Sequence, residues 1–185
     1  MKYRKSLFSL FIAFLVTACA QATFSVINIP AHLSNKIEVA SAVYDSKNSL
    51  SLDVYQAKSS VKQPQDVVIF FHGGRWETGT REDYKFMGYK LAEQGFLVVI
   101  PDYRKYPNVK FPAFVEDAAH AIAWVDDNIM NTSAFQGESL TVMGHSSGAH
   151  IGALALADAS YLAALNKAPN IADKFIGLAG PYSFT

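Results

Sequence analysis

Short apolar segments separated by turn-forming residues dominate the chain after Lys36. The segment 37–44, the turn 45–48 and the alternating segment 50–55 together predict an antiparallel hairpin. Further along, continuously apolar runs of strand length are typical of strands that are covered on both faces. These runs lie at 67–71, 96–100 and 140–143, and a last predicted strand follows at 174–179.

Segments with helical periodicity lie between these strands. They cover 84–94, which Gly95 ends, then 112–130 with one apolar face, and 147–165. Strands that alternate with helices form right-handed βαβ units, which place helices on both faces of a mostly parallel sheet. We therefore predict an α/β fold over residues 36–185, a length that suits one core.

The start of the chain has the features of an export signal. Three basic residues precede the apolar stretch 7–16, which is too short for a permanent membrane-spanning helix. The stretch ends in V-T-A-C, closed by Cys19, and this motif resembles the lipobox of bacterial lipoproteins, whose cysteine receives a diacylglyceryl group. We predict a signal peptide over 1–18, lipidation of Cys19 and a tether over 19–35.

The cysteine usage supports this interpretation. Cys19 is the only cysteine in the chain, so no internal disulfide can form. The alternative is a chance thiol in an ordinary signal peptide. The residue after the cysteine is Ala20. By the same resemblance, an aspartate at this position would favour the inner membrane, so the alanine implies anchoring to the outer membrane facing the periplasm.

Charge and composition narrow the range of partners. Sixteen basic and 16 acidic side chains cancel, and no basic run follows the first five residues, so we expect no nucleic-acid partner. The sequence has no H-E-x-x-H motif, no cluster of carboxylates with histidines and no loop that cradles phosphates. We therefore predict neither a metal nor another cofactor.

The strongest chemical motif is Gly144-His145-Ser146-Ser147-Gly148, which fits G-x-S-x-G between a predicted buried strand and a helix. A turn this tight strains the backbone of the serine, and side chains at the flanking glycines would collide with the neighbouring elements. Ser146 is the predicted nucleophile, and the N–H of Ser147 is predicted to face developing negative charge. The alternative is a Gly-Ser turn that caps a helix.

A second motif, His72-Gly73-Gly74-Arg75-Trp76, follows the first central strand directly. A glycine pair lets the backbone approach a ligand and aim N–H groups at an oxyanion, where each donor contributes about 3 to 4 kcal/mol. The alternative is an ordinary turn at the end of a strand. The position of this loop, one strand-helix-strand unit before the serine motif, favours the oxyanion interpretation.

Four motifs together carry a family resemblance. H-G-G-x-W, P-D-Y-R, F-P-A-x-x-E-D-A and G-H-S-S-G-A-H, in this order over 37–185, resemble the carboxylesterase and lipase branch of the α/β-hydrolases, including acetyl-esterase-like and kynurenine-formamidase-like enzymes. The resemblance implies a three-layer sandwich and a serine esterase that cleaves small carboxylic esters through an acyl-enzyme. It places oxyanion donors at Gly73, Gly74, Arg75 and Ser147.

This resemblance leaves three functional alternatives. Arg75 stands where lipase-like members often have a third glycine, whereas formamidase-like members vary there, so amide or formamide cleavage is the alternative within the same chemistry. A different class is a non-catalytic remnant or a lipid-anchored binding module. Trp76 and Phe111 line either an acyl pocket or the core.

Several polar residues near the motifs are interpreted as structural. The resemblance implies that Asp102 braces the oxyanion loop, and Glu116 and Asp117 are predicted to serve contacts of their helix. His145 lies in the tight turn and is predicted to face away from Ser146, while His150 lies one helical turn below it. Both histidines are therefore poorly placed as general bases.

The chain order of the catalytic triad leads to a further expectation. In α/β-hydrolases the order is serine, acid, histidine, yet no histidine follows His150, and the later acids include Asp158 and Asp173. We expect that the C-terminal strands of the fold are missing from this chain and that the base lies outside it. The strand near 175–178 is then expected to form an exposed apolar edge.

Overall fold

The computed structural model describes residues 22–60, 65–132 and 137–183. The predicted signal peptide, the lipidation site Cys19 and the start of the predicted tether lie outside the described residues.

Within these ranges, a single twisted sheet organises the chain. Its spatial order is β1-β2-β4-β3-β5-β6. The hairpin of β1 and β2 is antiparallel, β2 also pairs antiparallel with β4, and the remaining pairs are parallel. The strands are Ile37–Asp45 (β1), Leu50–Ala57 (β2), Gln65–Phe71 (β3), Leu97–Pro101 (β4), Gly137–His145 (β5) and Lys174–Leu178 (β6). The predicted hairpin and the mostly parallel α/β sheet are confirmed.

Helices cover both faces of the sheet. A helix over residues 22–33 (α1) and Lys85–Glu93 (α2) lie on one face. The other face carries Ala113–Val125 (α3), Ser147–Ala157 (α4) and Ala159–Ala163 (α5). The three-layer arrangement expected from the alternating pattern is therefore confirmed.

The central strands are buried because each of their faces meets one of these helical layers. Along β3, Ile69 and Phe71 pack into the core under α3 and α4, while Phe70 between them packs under α2. This alternation follows from the two-residue period of a strand, whose successive side chains point to opposite faces. Each fully buried apolar side chain of this kind contributes about 1.5 to 3 kcal/mol.

Two predicted helices end earlier than their periodicity indicates. The segment 147–165 is not one helix but two, because Asp158 has an extended backbone and its carboxylate accepts the Ser160 N–H at 3.0 Å, which starts α5. The segment 112–130 begins as α3 and ends in a π-helical turn, Asp126–Met130. Local apolar spacing continues across both breaks, so it did not reveal them.

The described part of the predicted tether is helical over 22–33 and docked on the domain, a feature that its weak sequence pattern did not reveal. Asn28 of α1 is buried; its side-chain amide donates to the Asp83 carbonyl at 2.9 Å and its oxygen accepts the Phe86 N–H at 2.8 Å. The ring of Phe24 lies 5.2 Å from that of Tyr84. These contacts hold α1 against the start of α2. Among the described residues, no helix combines the length and apolarity needed to cross a membrane.

Candidate active site

Ser146 occupies the turn between β5 and α4 with a strained backbone. Its φ of 52° and ψ of −122° lie in a region that non-glycine residues rarely adopt. The predicted strain at the serine is therefore confirmed. Two partners hold the turn: the Ser146 N–H donates to the Leu178 carbonyl at 2.8 Å, and the Ser146 carbonyl accepts the Ala149 N–H at 3.0 Å.

The glycines on either side of the turn allow its close packing. A Cβ at Gly144 would lie 2.6 Å from backbone atoms of Gly148 and Ala149. A Cβ at Gly148 would overlap the carbonyl oxygens of Phe71 and His72. The predicted collisions are confirmed, and they show that the start of α4 rests directly on the end of β3. This contact brings the serine turn beside the loop that follows β3.

That loop has a tight and strained course. Arg75 and Trp76 both have positive φ, at 56° and 61°, a conformation that costs about 1 to 3 kcal/mol per residue and persists only where the surrounding structure enforces it. The Gly74 carbonyl closes the turn by accepting the N–H groups of Glu77 at 3.0 Å and Thr78 at 2.8 Å. Strain concentrated in two adjacent turns, one after β3 and one after β5, is typical of a functional site.

Tyr84 connects the two turns, a role that no sequence motif indicated. A hydrogen bond of 2.9 Å joins its hydroxyl to Nδ1 of His145. A Cβ at Gly73 would lie only 3.1 Å from this hydroxyl and 2.8 Å from the His145 nitrogen. Burial raises the pKa of Tyr84, partly offset by a backbone hydrogen bond with Gly73. The first loop and the serine turn are therefore packed together around one phenol.

Asp102 supports the loop from behind. Its Oδ1 accepts the Arg81 N–H at 2.9 Å and lies 3.6 Å from His72 Nε2, while its Oδ2 pairs with the Arg81 guanidinium. Burial by itself raises the pKa of Asp102, but the nearby His72 ring and the hydrogen bonds from Arg81 outweigh it and lower the pKa to about 2. The carboxylate is thus ionised at neutral pH, and the predicted bracing contacts of Asp102 are confirmed.

His72 itself is fully buried at the start of the loop. Its ring stacks on that of Tyr103, with centroids 4.5 Å apart, and its carbonyl accepts the Tyr103 hydroxyl at 3.0 Å. Next in the chain, Arg104 binds the buried carboxylate of Asp117 through its backbone N–H at 2.8 Å and its guanidinium at 2.6 Å. The predicted inter-element role of Asp117 is confirmed, while Glu116 is exposed on the same helix.

The other candidate acids and bases have structural partners. His145 is bonded to Tyr84, as described, and His150 packs edge-on against Trp76 with ring centroids 5.4 Å apart. Burial lowers the pKa of His150. Asp158 caps the start of α5. The Asp173 carboxylate accepts the Leu140 N–H at 2.8 Å, which fixes the start of β6.

Aromatic rings line the outer side of the loop. Trp76 is half-buried, and its ring centroid lies 6.5 Å from that of Phe114. The Phe111 ring meets the same Phe114 ring edge-on, with centroids 6.1 Å apart. Phe111 is 60% exposed, so it is not a core residue, whereas Phe114 is 7% exposed. Among the described residues, no group of three or more His, Cys, Asp or Glu side chains is placed to hold a metal ion.

The sheet, the strained serine after β5 and the loop after β3 define a protein of the α/β-hydrolase fold. The sequence model of the BD-FAE family matches residues 52–171, which is more than half of the chain and includes both strained turns. The chain belongs to the BD-FAE family.

Curated relatives and solved structures agree with this assignment. A probable isoprenylcysteine alpha-carbonyl methylesterase of Oryza sativa subsp. japonica is 35% identical over 118 residues, which cover 63% of this chain and 28% of the relative. Esterase LipC of Mycobacterium tuberculosis is 32% identical over 150 residues, covering 77% of this chain and 36% of the relative. The chain thus spans about a third of the length of these relatives.

A structural neighbour supports the fold alone, because its sequence is distant. An esterase from Rhizomucor miehei superimposes with a TM-score of 0.72 at 21% identity, covering 91% of this chain and 53% of the neighbour.

Proposed function

We propose that the protein hydrolyses small carboxylic esters through an acyl-enzyme on Ser146. The observation that carries the proposal is the strained Ser146 turn, which rests against the equally strained turn at Arg75 and Trp76. Both turns follow the carboxyl ends of parallel strands, β3 and β5. A serine hydroxyl and several backbone N–H groups therefore lie at one edge of the sheet.

The chemistry proceeds in two halves. The Ser146 hydroxyl attacks the acyl carbon and gives its proton to a base, and the carbonyl oxygen becomes an oxyanion. Collapse of this intermediate breaks the ester bond, returns the proton to the leaving alcohol and leaves the acyl group on Ser146. A water molecule then repeats the sequence, releases the acid and restores the serine.

The oxyanion is held by backbone donors. Gly74, Arg75 and Ser147 are the preferred donors in the proposal, and Ser147 also begins α4, whose N-terminus favours negative charge. Gly73 is a weaker candidate, because its backbone already forms a hydrogen bond with Tyr84.

The base is proposed to be a histidine outside the 185 residues. His145 and His150 are occupied by Tyr84 and by packing against Trp76. In this fold, acid and histidine follow the serine along the chain, and no histidine follows His150 here.

A fluorophosphonate probe tests the proposal, because it reacts only with an activated serine. The complete gene product, with any residues that its reading frame adds, should be labelled, and Ser146→Ala should abolish labelling. Ser160→Ala is the matched control, since Ser160 is an exposed serine in α5, and it should label normally. Unlabelled wild type that is folded by circular dichroism would favour the binding-module alternative. Labelling with turnover of aryl amides but not of aryl esters would favour the amide alternative.

We also propose lipid anchoring of Cys19 in the outer membrane, facing the periplasm. The support is the sequence: the short apolar stretch, the V-T-A-C motif and the absence of a second cysteine. Cells grown with labelled palmitate should incorporate it into the wild type and not into Cys19→Ser. An unlipidated wild-type product in the periplasm would contradict the proposal.

A further inference from the structure

The helix α1 presents two opposite faces. Phe24, Asn28 and Ala31 hold it on the domain through the contacts described above. Because successive residues of a helix turn by about 100°, the spacing of these three residues groups them on one side. The opposite side of the helix carries Val26, Ile29 and Leu33.

This outer side is apolar and exposed. Val26, Ile29 and Leu33 are 64%, 50% and 80% exposed, and their spacing of three and four residues aligns them in one stripe. Ile27, on the flank of the stripe, is 43% exposed. Single exposed apolar residues are ordinary on a protein surface, but a continuous stripe indicates an interaction site.

The charge pattern points to a lipid surface as the occupant. No Asp, Glu, Lys or Arg occurs from Cys19 to Asn35, so no charged side chain of this segment opposes contact with acyl chains. The first charge is Lys36, at the end of α1, and its carbonyl accepts the Lys58 N–H at 3.0 Å. Both lysines are exposed. Glu93 lies in the same region, but it pairs with Lys90 at 3.1 Å.

We propose that the stripe of Val26, Ile29 and Leu33 lies in the headgroup region of a membrane, with Lys36 and Lys58 near anionic lipid phosphates. Helices with one apolar face bind at this depth, and lysines near anionic lipids strengthen the binding. The inference rests on the proposed lipidation, because Cys19 precedes Ala22, the first described residue of α1, by three positions. The domain is then held at the membrane by a helix as well as by a lipid.

Depth-dependent quenching tests the proposal. In the lipidated full-length chain, Cys19 is blocked, so one introduced cysteine can carry an NBD fluorophore. Leu33→Cys and Val26→Cys probe the stripe, His32→Cys probes the flank of the same helix, and Ala163→Cys in α5 is the control on the opposite face of the sheet. All four positions are exposed.

In phosphatidylethanolamine and phosphatidylglycerol vesicles, shallow doxyl lipids should reduce NBD emission about twofold at positions 26 and 33, less at 32 and not at 163. An unquenched signal at 26 and 33 in vesicle-bound protein would overturn the proposal, and would indicate that another part of the chain or a second copy covers the stripe.

The anchor and the helix are tested separately. A free Cys19 thiol in the wild type would show that the proposed anchor is wrong. The same probes are then measured in a Cys19→Ala background with vesicles added. Quenching at 26 and 33 would support the helix contact without the lipid, and its absence would overturn that contact.

Discussion

The strands β3 and β6 have similar apolar sequences and opposite environments. β3 lies between β4 and β5, and Phe71 at its end is fully buried. β6 pairs only with β5 among the described residues, and every residue of it is exposed, with Ile176 at 44%. Apolar composition therefore identifies both segments as strands, but the position of each strand in the sheet decides what its side chains contribute to stability.

The exposed strand nevertheless supports the strained Ser146 of the proposed site. The register pairs Leu178 with His145, and the Leu178 carbonyl accepts the Ser146 N–H at 2.8 Å. β6 contributes through its backbone, whereas β3 contributes through its side chains. Substitutions that remove side chains should separate these two roles.

The largest expected effect is the loss of a central aromatic ring. Phe71→Ala removes a fully buried side chain from the core that contains Val142 and Ile151, and should lower the free energy of unfolding by about 3 to 5 kcal/mol. Phe175→Ala, at the edge and 38% exposed, should cost about 1 kcal/mol. Urea denaturation followed by tryptophan fluorescence measures both. Equal losses would show that the edge is as tightly packed as the centre.

Adding a methyl group gives a second contrast. Gly148→Ala would place its Cβ against backbone carbonyls of β3, which cannot rotate away, so a loss of about 3 kcal/mol is expected. At Gly177 in β6 the new Cβ would meet the hydroxyl of Tyr182. Because the Tyr182 side chain is 56% exposed, it can turn outward, so Gly177→Ala should lower the free energy of unfolding by only about 0.5 kcal/mol. Thermal melting of both variants tests whether Gly177→Ala lowers the melting temperature less than Gly148→Ala does.

The loop behind the site should make stability depend on pH. The nearby His72 ring and the hydrogen bonds from Arg81 outweigh the effect of burial and lower the pKa of Asp102 from 3.8 to about 2. Because the folded pKa is the lower one, the stabilisation is complete above pH 4 and is lost as the pH falls towards 2. The contribution is about 2 kcal/mol.

The difference in unfolding free energy between the wild type and Asp102→Asn should therefore shrink as the pH falls through this interval. A difference that stays constant from pH 6 to the acid limit would contradict the assignment.

The smallest expected effect concerns the link between the two turns. Tyr84→Phe removes the hydroxyl that bonds His145 and packs on Gly73, which should lower stability by about 1 kcal/mol. It should also slow fluorophosphonate labelling of Ser146, because the loop and the serine turn lose their common partner. Tyr106→Phe, at an exposed position, is the control and should change neither quantity. Unchanged labelling in Tyr84→Phe would show that the two turns hold their geometry independently.

Local sequence patterns determined much of the framework. The apolar runs at 67–71, 96–100 and 140–143 form β3, β4 and β5, because short continuous apolar runs bounded by turn residues are typical of strands covered on both faces. The strained Ser146 turn was predictable as well, since a serine between glycines at the end of a buried strand leaves the backbone few alternatives. The exposed apolar edge expected near 175–178 is also observed, since β6 pairs only with β5 among the described residues and all of its residues are exposed.

Only the tertiary structure decided the contacts that connect distant segments. Asn28 bonds a carbonyl 55 positions away in the chain, and Tyr84 bonds His145 across 61 positions. The docking of α1 likewise depends on residues that are distant in the chain, whereas the break at Asp158 is a local cap in which its carboxylate accepts the Ser160 N–H. Periodicity reports which side of an element is apolar, whereas the partner of a single polar side chain depends on how whole layers pack. The sequence therefore located Ser146, whereas the tertiary contacts made by β6 and by Tyr84 decided how its turn is held.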